Sequence, residues 1–466
     1  MTGNQLIYSV MEERINKRSA LIILTAGSFL TPFMGASVNI ALPSIGKEFA
    51  LDAVLLSWVS TSFLLGAAIF LVPFGRLGDL YGRKKIYTYG IMLYTIAALL
   101  SGISVAPWML ISFCILHGIG SSMIFGTGVA ILTSIFSAGE RGRALGIQVS
   151  CVYLGQSLGP FLSGFLIEHL GWRSIFLINV PIGLAILSMI LWKLKGEWVG
   201  ARGEGFDFLG SILYSLTLVA IMYGFSLLPT KAGAAFILVG AFGFWAFIKW
   251  ETKTASPVFD IKLFRHNRVF AFSNLAALVH YGATFGVNFL LSLYLQYVQG
   301  YSPFQAGSII LFKPAMQAAF SPFAGRLSDR IDPRLVASLG MAFTVIGLFL
   351  LLFLHEKTTL IYLIPALLTL GFGFALFSSP NTNAVMGSVE EKYYGIASGT
   401  VSLMRLMGQI LSMGIATLIF AVVMGRVEIT ADLYPLLLKS TRVALLIFAI
   451  LCIGGIFASL ARGKVR

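Results

Sequence analysis

The chain reads as an all-α integral membrane protein, two six-helix bundles with two extra central spans and fourteen transmembrane helices in all. Three observations lead there. The 466 residues are 57% hydrophobic and only 11% charged, with a mean hydropathy of +0.88, whereas a soluble domain carries about 25% charged residues. Apolar stretches long enough to cross a hydrocarbon layer of about 30 Å, which takes roughly 20 residues of helix, recur along the whole chain. In lipid only helices or closed barrels satisfy their own backbone groups, and runs of this length are helical. Finally, a charged turn, "FGRLGDLYGRKK" (Phe74 to Lys85), returns 250 residues later as "AGRLSDRIDPR" (Ala324 to Arg334), which makes the chain a repeat.

Taken in order, the first six spans fall at about 18–42, 52–74, 85–105, 107–136, 143–169 and 174–194. Two more cover 207–229 and 232–251, and the last six cover 268–298, 303–324, 335–354, 360–387, 394–424 and 434–461. The polar, Gly-rich stretch "WKLKGEWVGARGEGFD" separates the first bundle from the inserted pair. "ETKTASPVFDIKLFRHNR", basic enough to read as an amphipathic linker on the membrane surface, separates that pair from the second bundle. The domains are therefore an N-terminal bundle at 1–194, a linker with two inserted spans at 195–267, and a C-terminal bundle at 268–466. Facing bundles of this kind place a substrate site between them near the membrane midplane.

Charge sets the orientation. With both termini inside the cell, 24 of the 33 Lys and Arg residues fall on the cytoplasmic side and seven outside, with Lys313 and Arg405 within spans. The asymmetry follows the positive-inside rule and accounts for the net charge of +14 without nucleic acid. It places the protein in the cytoplasmic membrane as a multi-pass chain. Cys114, Cys151 and Cys452 all lie in apolar runs and have no disulfide or metal spacing. The N-terminal "MEERINKRSA" leads into an apolar run too long for a signal-peptide core, and reads as an uncleaved first span. No Ser/His/Asp order, phosphate-binding loop or metal cluster is present, so neither an enzyme nor a cofactor is expected.

The string from Gly75 through Asp79, Gly82, Arg83 and Lys84 resembles the loop signature of the major facilitator superfamily, and Gly325 and Asp329 fall in its second, weaker copy. "GQSLGPFLSG", with Gly155, Gly159, Pro160 and Gly164, resembles the fifth-span motif of that superfamily's antiporters. "VNIALP", "GWRSIFLINVPIG" and "SSPNTNAVMGSV" are similar to its fourteen-span drug/proton antiporter branch, the EmrB/QacA-like group. The resemblance implies a conformational-switch loop, in which Asp79 accepts from N–H groups at the start of a helix in the other half, where the helix dipole favours an anion. It also implies a pliable seam in the fifth span. Small residues there let helices approach closely, and Pro160 bends the helix.

Two positions depart from that pattern. Met34 stands where the branch carries an aspartate, and Cys114 where the superfamily's fourth span carries an arginine. Proton coupling therefore does not follow from membership alone. The polar groups left inside the spans are the candidates for cavity or coupling roles. Lys313 is about 15 Å from either interface, where an unpaired charge costs roughly 2.5–3.5 kcal/mol, so it should face a cavity or a partner. Arg405 is similarly deep and either faces the cavity or binds backbone carbonyls. His117 and His280 lie near mid-span, as packing or coupling histidines. Asn39 and Gln156 are polar cavity or helix-contact groups, as are Asn288, Asn381 and Asn383. No Asp or Glu lies at comparable depth: Glu168 is near an outer span end.

The function this predicts is efflux of small amphipathic or organic solutes by alternating access, with protons as a candidate coupling partner and a monomer as the working unit. A uniporter or importer without coupling is the rival within transport, and a non-transporting sensor or scaffold is the rival outside it.

Overall fold

The computed structural model describes residues 17–136, 138–200, 205–254, 261–390 and 394–463. Among these the regular structure is helical, with one isolated bridge between Asp52 and Glu428. The first half contains α1 (Lys17–Phe49), α2 (Ala53–Tyr81), α3 (Arg83–Gly102), α4 (Pro107–Ile135), α5 (Ala138–Leu170), the short α6 (Ser174–Leu177) and α7 (Asn179–Lys193). The inserted pair is α8 (Phe208–Leu227) and α9 (Lys231–Glu251). A short α10 (Ile261–His266) leads into the second half: α11 (Arg268–Thr284), α12 (Gly286–Leu293), α13 (Pro303–Ile310), α14 (Phe312–Arg330), α15 (Pro333–Leu351), α16 (Leu360–Gly387), α17 (Tyr394–Val423) and α18 (Tyr434–Ala461).

Twelve of the described helical segments are long and apolar enough to cross a membrane. The other two predicted spans are helical but more polar. α3 opens on Arg83, Lys84 and Lys85, and the stretch from Pro303 to Arg330 carries Lys313 and is broken at Leu311. The break has a local cause. Pro314 has no N–H to offer the carbonyl four residues back, so a ladder bond is missing where the helix breaks, and the next helix starts at Phe312.

The charged turn is a correction to the sequence reading. It is not a loop: α2 runs on through Asp79 to Tyr81, and only Gly82 interrupts the helix before α3. Gly82 has φ +120°, a conformation that L side chains rarely adopt, and its backbone lies against the Glu197 side chain. The second copy, with Gly325, is likewise the helical end of α14, and the Asp329 side chain lies outside the described residues.

The inserted helices pair with each other through Gly224, Gly233 and Gly240, where missing side chains let the backbones close up. Tyr214 of α8 donates to the Ala68 carbonyl of α2 at 2.9 Å, and Arg426, beyond α17, donates to the Ser226 carbonyl at 2.8 Å. The pair is thus bonded to both halves.

Candidate functional site: a cavity between two bundles

Midway along α1, α2, α4 and α5 of the first half, and α11, α12, α16 and α17 of the second, the helices line an open cavity, about 910 Å³ with the solvent-filled space at its mouth included. Apolar and aromatic side chains form most of the wall. The polar positions include Asn39, Gln156, Asn288 and Arg405, with serines and a threonine between them. Asn39 donates to the Gly35 carbonyl at 3.2 Å and accepts from Ser60 at 3.2 Å, so its amide is held. Arg405 faces the cavity. Its guanidinium lies 5.9 Å from the ring centres of Phe125 and of Tyr281, one from each half.

Lys313 is buried just behind the wall. Its ammonium donates to the Thr284 carbonyl at 3.1 Å and to Asn288 Oδ1 at 3.2 Å. The partner comes from a break in the opposite helix. At Phe285 the backbone turns, and the Asn288 N–H bonds to Phe285 instead of to Thr284. The freed Thr284 carbonyl then accepts from Lys313, and the freed Gly286 N–H bonds Ser412 at 2.9 Å. Asn288 thus joins the buried cation to the cavity surface.

The two histidines lie elsewhere. His117 is fully buried, 4.0 Å from the Tyr94 ring centre and near Phe63 and Phe176. His280 is equally buried, 4.0 Å from the Phe377 ring centre and 4.9 Å from that of Phe374. Neither ring nitrogen of either residue has a hydrogen-bond partner among the described residues. Both are members of aromatic packing. Met34 and Cys114 are also buried.

The bonds between the halves gather at one end of the molecule. At the end away from residues 17 and 463, Ser57 and Thr417 hydroxyls meet at 2.7 Å, Gln296 donates to the Ile40 carbonyl at 3.0 Å, and Ala53 N–H donates to Val427 at 3.4 Å. There too α5 packs on α13. A Cβ at Gly164 would lie 2.5 Å from the Pro303 carbonyl oxygen, and Gly307 sits against the Pro160 carbonyl. Gly155 and Gly159, further down the same helix, pack on α1 at Phe29, Phe33 and Ala36. The seam motif therefore has one face toward its own bundle and one toward the other. Near mid-height Tyr153 and Ser378 hydroxyls meet at 2.8 Å.

At the end that carries the termini, Asp79 is bonded within its own half. Its carboxylate accepts from Arg83 at 2.7 Å, and Arg83 also donates to Ser134 at 2.7 Å and to the Ala130 carbonyl at 3.3 Å. The linker after α7 covers this corner: Lys84 N–H donates to Glu197 at 2.8 Å, and Gly200 N–H to the Asp79 carbonyl at 3.0 Å. The contact expected of Asp79, with a helix start in the other half, is absent from its described bonds. Its geometry occurs at the opposite end, where Glu168 accepts from Ser302 at 2.5 Å and from Phe304 N–H at 3.2 Å, at the start of α13. From the sequence alone Glu168 is placed only near a span end. A legible signal was Ser302-Pro-Phe-Gln305, a capping box with proline at the first helical position.

A central cavity between the two halves of a multi-pass helical chain, with its walls bonded together toward one end, fits a membrane transport protein. The chain belongs to the major facilitator superfamily, whose family model matches residues 24–413 and 273–464. It is 30% identical over 83% of its length to the riboflavin transporter RibZ of Clostridioides difficile, covering 84% of that protein. It is 32% identical over 84% of its length to the multidrug resistance protein Stp of Mycobacterium tuberculosis, covering 74% of it. The tetracenomycin C resistance and export protein of Streptomyces glaucescens is 24% identical over 81% of the chain and is covered over 71%. Among solved structures, a bacterial homologue of the lysosomal transporter Spinster, inward-facing and unoccupied, matches with a TM-score of 0.70 and 15% identity, covering 96% of this chain and 97% of that one. The peptide transporter POT in complex with alafosfalin matches with a TM-score of 0.71 and 14% identity over the same shares. These two likenesses concern the fold. These relatives are named for riboflavin transport, multidrug resistance and tetracenomycin C export, and the chain is a multi-pass membrane transporter.

Proposed function

We propose that the chain exports small amphipathic or organic solutes by alternating access, the two bundles rocking about the central cavity. The observation that carries this reading is the seam of α5. Gly164 and Pro160 meet α13 of the other half at the end away from the termini, while Gly155 and Gly159 pack on α1, so that opening this seam exposes the cavity at that end. Export as the direction draws support from relatives named for multidrug resistance and for tetracenomycin C export. In this reading the seam residues are Gly155, Gly159, Pro160 and Gly164. The turn of Gly75, Asp79, Gly82, Arg83 and Lys84, echoed at Gly325 and Asp329, is the switch that alternates with it.

The same proposal takes α3 and the broken α13–α14 pair as spans, which makes fourteen, and divides the chain at 1–194, 195–267 and 268–466. It places the protein in the cytoplasmic membrane as a monomer with both termini in the cytoplasm, on the Lys/Arg asymmetry. Antiport with protons is the coupling proposed, with Lys313 as the coupling group, since it reaches the cavity through Asn288. The uncoupled alternative, a uniporter or importer, is favoured by the neutral residues at Met34 and Cys114. Transport by purified protein in liposomes, with pH and sodium gradients imposed separately, decides between them. Export against an imposed proton gradient supports antiport. Equilibration only, with neither gradient accelerating it, supports the uniporter.

A further inference from the structure

The central cavity contains one unusual polar group. Arg405 is half-buried on the cavity wall, yet among the described residues its guanidinium has no hydrogen-bond acceptor and no carboxylate neighbour. The two backbone-facing explanations that apply to other buried cations here are not available to it. Lys313 has the Thr284 carbonyl and Asn288, and Arg462 has Ser273, Asn381 and the Ser459 carbonyl. Nothing acidic lines the cavity among the described residues.

A guanidinium presents its donors as a planar fork that matches a two-oxygen anion, and its flat faces stack on aromatic rings. Phe125 and Tyr281, each 5.9 Å from the guanidinium carbon, are at the outer edge of cation–π distance. They steady the side chain from both halves while leaving the fork itself unclaimed. Around them Phe63, Phe285 and Phe374 supply apolar, ring-bearing wall. A donor fork without acceptors, set in an aromatic chamber, is complementary to a flat ring that carries an anionic oxygen pair on its edge.

We propose that Arg405 is a specificity-determining binding residue, and that the cavity selects planar aromatic solutes bearing a carboxylate or an equivalent two-oxygen acceptor edge. This names the substrate class of the site described above and rests on that cavity being the substrate site. Because Phe125 and Tyr281 come from different halves, a solute held on Arg405 touches both bundles at once. The same positive wall, without an offsetting carboxylate, disfavours quaternary ammonium solutes, which would lose hydration and meet like charge.

Equilibrium binding to the purified, full-length protein in nanodiscs tests this with three probes that share one ring system: 2-naphthoate, 2-naphthamide and the 2-naphthyltrimethylammonium ion. The expected order is naphthoate tightest and the ammonium ion weakest. Arg405→Gln should weaken naphthoate about tenfold or more while leaving naphthamide within a fewfold. Arg405→Lys, which keeps the charge but loses the fork, should fall between parent and Gln variant, and it decides the matter if the Gln variant fails to fold. Naphthoate binding no tighter than naphthamide in the parent, tightest binding of the ammonium ion, or a naphthoate affinity that neither substitution changes would each overturn the proposal. Equilibrium binding reads neither direction nor coupling, so a failure of export in liposomes would be a separate result.

Discussion

Glu168 of α5 caps the first turn of α13 in the other half, taking the Ser302 hydroxyl at 2.5 Å and the Phe304 N–H at 3.2 Å. An anion at a helix N-terminus satisfies N–H groups that have no partner inside the helix and meets the positive end of its dipole. Here the cap crosses the line between the bundles, so it exists only while this end is closed. Glu168→Ala removes the acceptor and should shift the resting population toward the state open at that end. A cysteine placed in the cavity at Gln156 should then label several times faster from the far side than in the parent protein. Equal labelling rates in the two proteins would show that the cap does not hold the seam.

The Asp79–Arg83 pair is partly exposed and spaced four residues apart at the junction of two helices. Such a pair contributes only about 0.3–0.5 kcal/mol to stability, so Asp79→Asn should leave insertion and thermal stability almost unchanged. Transport should nevertheless fall at least about tenfold, because in the proposed cycle the state closed at the terminal end takes the Asp79 carboxylate as its helix-start acceptor, the counterpart of Glu168. Normal transport by Asp79→Asn would remove the switch role.

His117 and His280 stand in aromatic packing with both ring nitrogens unpartnered among the described residues. Burying a polar group without a hydrogen bond is unfavourable. His117→Phe and His280→Phe should therefore hold or raise thermal stability and keep gradient-driven transport within a fewfold. Loss of the pH response in either variant, with binding intact, would make that histidine a proton carrier.

In the proposed antiport, Lys313 is the group on which the proton gradient acts. Lys313→Gln removes the exchangeable proton and should make transport insensitive to an imposed pH gradient. Lys313→Arg keeps a permanent charge on the Thr284 carbonyl and Asn288 and should arrest the cycle. Unchanged gradient-driven transport in both would place coupling elsewhere.

The helical plan was legible because it depends on long apolar runs, punctuated by charge, that report their own ends. The position of the cavity was legible through the repeat. Arg405 and Asn39 could be listed as deep polar groups, but only packing separates Arg405, facing the cavity, from Lys313, bonded behind it. The partner of Lys313 was not readable, since it depends on a backbone break at Phe285 that no proline marks; the break at Leu311 does have its proline. The acceptor at a helix start in the other half was expected at Asp79, and it occurs at Glu168 instead. The same physical contact can serve either end of the molecule, and here the bonded end is the one away from the termini. Histidines in mid-span drew attention as titratable groups, whereas the rings around them come from distant segments and could not be paired by spacing.

In the proposed cycle, closure at the end away from the termini alternates with opening there, and the Ser57 and Thr417 hydroxyls, 2.7 Å apart across the two halves, mark the closed state. Cysteines at these two positions, in a chain with Cys114, Cys151 and Cys452 replaced, should cross-link in the membrane under mild oxidation. Transport in liposomes should then stop while solute binding from the terminal side persists, and reduction should restore the rate. A fully cross-linked protein that transports at the uncross-linked rate would contradict alternating access through this seam.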